Sequence, residues 1–143
     1  MENLLISACL LGVACRYDGK GVRGVDADAL RKKYNLIPIC PEIYGGLPTP
    51  RTPSERQGEK TMMKDGTDVT ANYQKGAEIA YQLCLEFDCK KALLKERSPS
   101  CGSGKIYDGS FSGTLTDGDG VTSELLKKHG IAVFGESEIE KLL

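Results

Sequence analysis

An α/β fold, three layers built on a four-stranded and mainly parallel sheet, is what this 143-residue sequence predicts. Two observations predict it. Short apolar runs with strand character recur along the chain, and stretches of helical period or helical capping lie between them. The length suits one domain over residues 1–143 with its own core, and leaves no room for a second of ordinary size.

The elements follow in order. Leu4-Leu5-Ile6 is a buried strand ending near Ser7-Ala8. Residues 25–34 carry acids in the first turn and bases in the last, the charge order that complements a helix dipole. Leu36-Ile37-Pro38-Ile39 is a second strand, although its proline cannot donate to a ladder. Residues 70–87 form the clearest helix, with Tyr73, Ala77, Ala80, Cys84 and Phe87 recurring at helical steps on one face. Ala92-Leu93-Leu94 is the third strand. Ser123 to His129 is a helix stopped by Gly130, residues 131–134 are the fourth strand, and Glu136 to Leu143 form a short closing helix. Right-handed crossovers make sheet order 2-1-3-4 the simplest arrangement. Ligands of such sheets bind beyond the carboxyl ends of the strands, where strand order reverses. The stretch from Pro41 to about Asp68 shows no regular pattern and reads as a long irregular loop at that carboxyl edge, the kind that acts as a lid or binding loop.

Bulk composition narrows the function classes. With 19 basic and 20 acidic side chains, no general polyanion-binding surface is expected, and therefore no general nucleic-acid binding. No apolar run approaches a membrane span. The start, MENLLIS, has an acid where a secretory signal has a base, so a cytoplasmic protein is expected. In a reducing compartment, six cysteines are not a disulfide framework. An isolated one packs as a small hydrophobe; those that gather need another explanation.

Topology sorts the six. Cys9 lies just past strand one, Cys40 ends strand two, and Cys101 lies in the loop after strand three, so all three should meet at one edge of the sheet. Cys15, in "SACLLGVACRYDGKG", could reach the same place. Cys84 sits on the apolar face of the long helix and Cys89 precedes strand three at the opposite edge; both read as structural.

Several thiol chemistries fail on spacing. A phosphatase-type C-x5-R needs arginine six after the cysteine, where Cys9, Cys40 and Cys101 have Cys15, Gly46 and Tyr107. A C-x-x-C redox pair is absent. Zinc usually takes closely paired ligands or histidines, and the single histidine, His129, reads as a solvent-facing helix end. Thiolate-only ligation from dispersed loops suits an iron–sulfur cluster better. Around these thiols, "CPEIYGGLPTPR" brings Glu42 and Arg51: an acid placed for proton transfer, and a base for an anionic or carbonyl group. "KERSPSCGSG" surrounds Cys101 with hydroxyls and glycines whose amides could approach a ligand.

"SACLLGVACRYDGK", "CPEIYGGLPTPR", "KERSPSCGSGKIYDG" and "FSGTLTDGDGV" together resemble the microbial family, long catalogued as a domain of unknown function, that includes the thiouracil desulfurases. The resemblance covers nearly the whole chain. It implies an oxygen-sensitive 4Fe-4S cluster held by Cys9, Cys40 and Cys101 with its fourth iron open, and Cys15 in a supporting position. It implies as substrate a small thiolated base or nucleoside, whose thiocarbonyl sulfur would go to the open iron and leave as sulfide without net redox. On this reading Glu42 activates water, Ser98, Ser100 and the amides from Gly102 hold the ring or the developing charge, and Arg51 contacts the substrate. Two other readings stand beside it: a non-catalytic metal-binding or regulatory module closed by Cys15, and a cluster-free enzyme using a cysteine nucleophile.

Overall fold

The computed structural model describes all 143 residues, Met1–Leu143. Four parallel strands make the central sheet: β1 (Glu2–Ser7), β2 (Tyr34–Ile39), β5 (Lys91–Leu94) and β8 (Ala132–Gly135), in spatial order β2-β1-β5-β8. In chain order these are strands one to four, so the expected order 2-1-3-4 holds. Leu4 stands opposite Leu36 on one side and Lys91 on the other, and Ala92 opposite Val133, which fixes the register. Pro38 is tolerated because β2 is an edge strand, where a missing donor faces no partner.

The two central strands are buried on both faces, as parallel strands are. Leu4, Ile6 and Leu93 pack with Leu30, Tyr34 and Leu142 on one face. Leu5, Ala92 and Leu94 pack with Ala80, Cys84 and Leu126 on the other. The first face is covered by the 3-10 turn Ala8–Leu11, by α1 (Ala27–Arg31) and by the closing segment Glu136–Lys141; the second by α3 (Thr70–Glu86) and α4 (Val121–Lys128). Two helical expectations shorten. The 25–34 helix is only α1, capped by the Asp26 side chain on the amide of Ala29, because Tyr34 already belongs to β2. The closing helix is 3-10. Phe87, expected on the buried face of the long helix, is its C-cap residue and lies exposed.

The region from Pro41 to Asp68 is not irregular. It contains α2 (Pro41–Tyr44) and a hairpin of β3 (Ser54–Gln57) and β4 (Lys60–Met63). A second unanticipated hairpin joins β6 (Lys105–Tyr107) to β7 (Leu115–Asp117). These elements are too short for periodicity to register, and they are held by contacts outside themselves. Glu55 of β3 accepts the amides of Gly109 (2.9 Å) and Phe111 (3.1 Å) through Oε1, and Gln57 donates to the Gly109 carbonyl (2.8 Å). The two hairpins therefore clasp each other.

One close approach sets the position of α2. A Cβ built on Gly76 of α3 would stand 1.9 Å from the Pro41 carbonyl oxygen, and one built on Gly45 would stand 2.1 Å from the Asn72 carbonyl oxygen. Only glycine allows two backbones this near. The contact brings Glu42, on the first turn of α2, against Tyr73 of α3.

Candidate active site

Beyond the carboxyl ends of β1, β2 and β5 lies a cavity of about 420 Å³, within the range of small-molecule sites. Cys9, Cys15, Cys40 and Cys101 all line it. The Ala8–Leu11 turn carries Cys9 directly off the end of β1, Cys40 is the N-cap residue of α2 after β2, and Cys101 follows β5 by way of the Ser98–Gly102 turn. Cys84 and Cys89 are absent from its wall and pack in the core with Ala80 and Leu126. The sorting by strand end is what the structure has.

The four thiols feel one another. The Cys15 thiol bonds to those of both Cys40 and Cys9. Its bond to Cys40 favours the Cys15 thiolate, but the bond to Cys9 and burial outweigh it and leave the Cys15 thiol raised. The same Cys15 bond pushes Cys40 strongly up, reinforced by burial. Cys40 Sγ also reaches the Cys15 carbonyl at 3.7 Å. Burial pushes Cys101 up to about 12, against the lowering bond to Ser7, with the charges of Glu42 and Cys40 adding to the rise. Thiols bind a metal as thiolates, so a metal group seated here would release their protons. No three of the protein's His, Cys, Asp and Glu side chains are gathered as ligands of a single metal ion. The thiols instead surround a cavity, Cys9 and Cys15 from beyond β1, Cys40 from β2 and Cys101 from beyond β5, an arrangement suited to a polynuclear group that takes one thiolate per metal. Donor type and placement both fit an iron–sulfur cluster.

Glu42 stands on the cavity wall with its carboxylate anchored on one oxygen. Its Oε1 accepts the Tyr73 hydroxyl at 2.6 Å and Arg51 Nε at 3.2 Å, leaving Oε2 without a protein partner. Burial and the Glu42 charge raise the Tyr73 phenol far above its ordinary value, so it stays a donor. The Arg51 side chain is only 2% exposed. Besides Glu42, its guanidinium donates to the carbonyls of Pro48 and Cys15 and to the Thr49 hydroxyl, each at 3.1 Å. Arg51 thus ties the Cys15 loop to the Glu42 loop. Expected at the substrate, it spends most of its donors on the protein.

The Cys101 loop differs from expectation in a similar way. Ser98 lines the cavity, and its hydroxyl oxygen accepts the amides of Ser100 (3.1 Å) and Cys101 (3.0 Å), which fixes the turn. Ser100, expected at the chemistry, is 1% exposed and outside the cavity wall; its hydroxyl pairs with that of Thr122 at 2.9 Å. Gly102 is likewise absent from the wall. Its amide donates to the Ser98 carbonyl and that of Gly104 to Asp119, so neither is free for a ligand. The reason is that this loop must also seat α4, whose first amides bond its carbonyls: Val121 that of Pro99, and Thr122 and Ser123 that of Ser100.

Sequence reading did not find Tyr73 as a site residue, because a tyrosine at helical spacing reads as core and the chain alone does not show that its hydroxyl meets Glu42. Nor did it assign roles to Tyr17, Lys64, Arg97, Tyr107 or Phe111, which also line the cavity. His129 caps α4, exposed, and stacks on Tyr81 with ring centroids 4.1 Å apart. No helix is long and apolar enough to cross a membrane.

A doubly wound sheet that gathers thiols from three strand ends around a cavity, with an anchored carboxylate beside them, is a scaffold for a soft metal group. The chain belongs to the 2-thiouracil desulfurase family, whose model matches residues 4–138. It is 39% identical to the uncharacterized protein YbbK of Bacillus subtilis (strain 168), an alignment covering 98% of this chain and 99% of that one. It is also similar to the solved structure of the 4Fe-4S-dependent thiouracil desulfidase TudS, at 50% identity and a TM-score of 0.95 over 99% of this chain and 95% of the other.

Proposed function

We propose that this chain removes the sulfur of a thiolated nucleobase of the 2-thiouracil kind as sulfide, with Cys9, Cys40 and Cys101 holding a 4Fe-4S cluster. The observation that carries this reading is the meeting of three strand-end thiols and the anchored Glu42 carboxylate at one cavity. Membership of the family and the likeness to TudS support it. When bound, the cluster supplies a soft Lewis acid that prefers sulfur to oxygen and polarises a C–S bond.

The chain's own residues do the rest. Glu42 takes a proton from the water that adds to the thiocarbonyl carbon. Its free Oε2 is the atom for that task, while Tyr73 and Arg51 keep Oε1 and the plane of the carboxylate in place. The Ser98 oxygen is already occupied as an acceptor by two amides, so its hydroxyl hydrogen is the part left to donate toward a ring carbonyl or nitrogen. Ser100 and Gly102 act behind this surface, shaping the turn that presents Cys101. In net terms one water is consumed, a C–S bond is exchanged for a C–O bond, and hydrogen sulfide leaves. No atom changes oxidation state, so no electron donor is needed. Six free cysteines suit a reducing compartment, and the cytoplasm is the setting in which this chemistry would run.

The test is anaerobic reconstitution with iron and sulfide, followed by a sulfide-release screen over thiolated bases and nucleosides without reductant. Release of sulfide in step with appearance of the carbonyl product is expected. Turnover that depends on a reductant, or iron-free protein that is equally active, would overturn the reading.

A further inference from the structure

The cavity has one wall that neither the thiols nor Glu42 explain. It is the turn between β6 and β7, residues 108–114, in which the stretch "FSGTLTDGDGV" begins at Phe111. Phe111 has φ +56°, a left-handed backbone that a bulky aromatic residue adopts only under constraint. Constraint is supplied: Glu55 Oε1 accepts the amides of both Gly109 and Phe111, and Gln57 holds the Gly109 carbonyl. A glycine or asparagine would occupy this backbone with less strain. The ring is not needed by the core either, since Phe111 belongs to none of the apolar clusters. It is half-buried and lines the cavity.

We propose that Phe111 is a specificity-determining residue whose ring forms the stacking face for the flat heterocycle of the substrate, and that Glu55 is the positioning residue that holds it there. The inference rests on the proposed function for the identity of the ligand as a nucleobase. An aromatic face explains why strain is tolerated at this position: a planar π-system beside the cavity rewards a flat ring and does nothing for a puckered one. The polar edges of the substrate then remain free for Ser98 and Glu42. It also gives the β3–β4 hairpin a task at the site, because Glu55 and Gln57 both lie on β3 and both grip the turn that carries Phe111.

The experiment compares uracil with 5,6-dihydrouracil, which keeps the polar edges but loses the flat aromatic ring. Binding of each to cluster-loaded protein is measured by calorimetry, a readout independent of turnover. Uracil should bind more tightly than dihydrouracil. Phe111→Leu should weaken uracil on the order of tenfold, within what base–aromatic stacking supplies, and leave dihydrouracil unchanged; Phe111→Tyr should restore the difference. Phe111→Gly separates function from structure. It relieves the backbone strain, so the unfolding midpoint should hold or rise while uracil affinity falls. Equal binding of the two ligands by the wild type, failure to bind either, or a lowered midpoint with unchanged affinity in Phe111→Gly would each overturn the proposal. Sulfide release that persists while Phe111→Leu binds uracil normally would overturn this proposal alone and leave the desulfuration reading standing. Phe111-dependent preference for uracil without any sulfide release would do the reverse.

Discussion

The Tyr73 hydroxyl donates to Glu42 Oε1 at 2.6 Å, across the contact between α3 and α2. That bond joins a residue of the long, regular helix to an acid on a helix of a single turn, and so gives a loop-borne carboxylate the rigidity of the sheet layer beneath it. Glu42→Gln should keep the cluster, because the side chain is nearly isosteric and not a proposed ligand, yet lose most of the rate. General acid–base groups typically contribute about 10²–10⁴-fold. Iron content and sulfide release, measured on the same preparation, check both halves; full activity would remove Glu42 from the mechanism.

Tyr73→Phe asks how much of that depends on orientation. Arg51 still holds the same oxygen, so a smaller loss is expected, on the order of tenfold in kcat with little change in KM, as for a group acting through another. The phenol is also almost fully buried, so its removal must be checked against the unfolding midpoint. A loss as large as that of Glu42→Gln would mean Tyr73 acts on the substrate directly.

Replacing Cys9, Cys40 or Cys101 by Ser should abolish stable cluster assembly, since a hydroxyl is a hard and poor ligand for iron. Cys84→Ser and Cys89→Ser should leave iron content unchanged, because neither residue lines the cavity. Cys15→Ser decides between an open and a closed site. If Cys15 is a fourth ligand, its loss should expose an iron and raise activity; an already open site predicts no gain. Normal iron content in Cys101→Ser would break the ligand assignment.

Gly76→Ala should be severe for so small a change. The new methyl would meet the Pro41 carbonyl oxygen at 1.9 Å, so α2 must move as a unit. Overpacking of this kind costs about 1–3 kcal/mol, and it displaces Glu42 as well. A lowered midpoint and a lowered rate are therefore expected together, whereas an unchanged rate would mean that α2 need not sit where it does.

Burial holds the Cys84 thiol up at about 12, above the 9.0 of a free thiol, with Cys89 adding to the rise. A raised folded-state value contributes stability that is complete below the unfolded value and is lost as pH rises through the window between the two, here from about 9 to about 12. Alkaline unfolding should therefore be less steep in Cys84→Ala than in the wild type across that window. In folded protein near pH 8, Cys84 should also resist alkylation, which mass spectrometry of the labelled peptides would show.

How much of this is legible in the chain depends on how local the cause is. The four strands, the long helix and the sheet order follow from short apolar runs bounded by turn residues, from the helical period between them and from right-handed crossovers. The same logic placed Cys9, Cys40 and Cys101 together and set Cys84 and Cys89 aside, since strand direction alone decides which edge a residue reaches. The elements missed were the short ones, α2 and the two hairpins, whose three or four residues carry no period and which persist through contacts with each other.

Side-chain direction was beyond the sequence. Ser98 and Ser100 are two residues apart in one motif, yet Ser98 faces the cavity and Ser100 turns to Thr122, because the loop between β5 and β6 must seat α4 as well as present Cys101. Arg51 is in the site but committed to holding two loops together. Tyr73 looked like core and is also the anchor of Glu42. The sequence by itself determined which strand ends meet, because hydrophobic periodicity is a property of the chain. Only the tertiary structure decided which polar atoms are spent on the fold and which are left for a ligand, because that follows from the partners each atom finds in space.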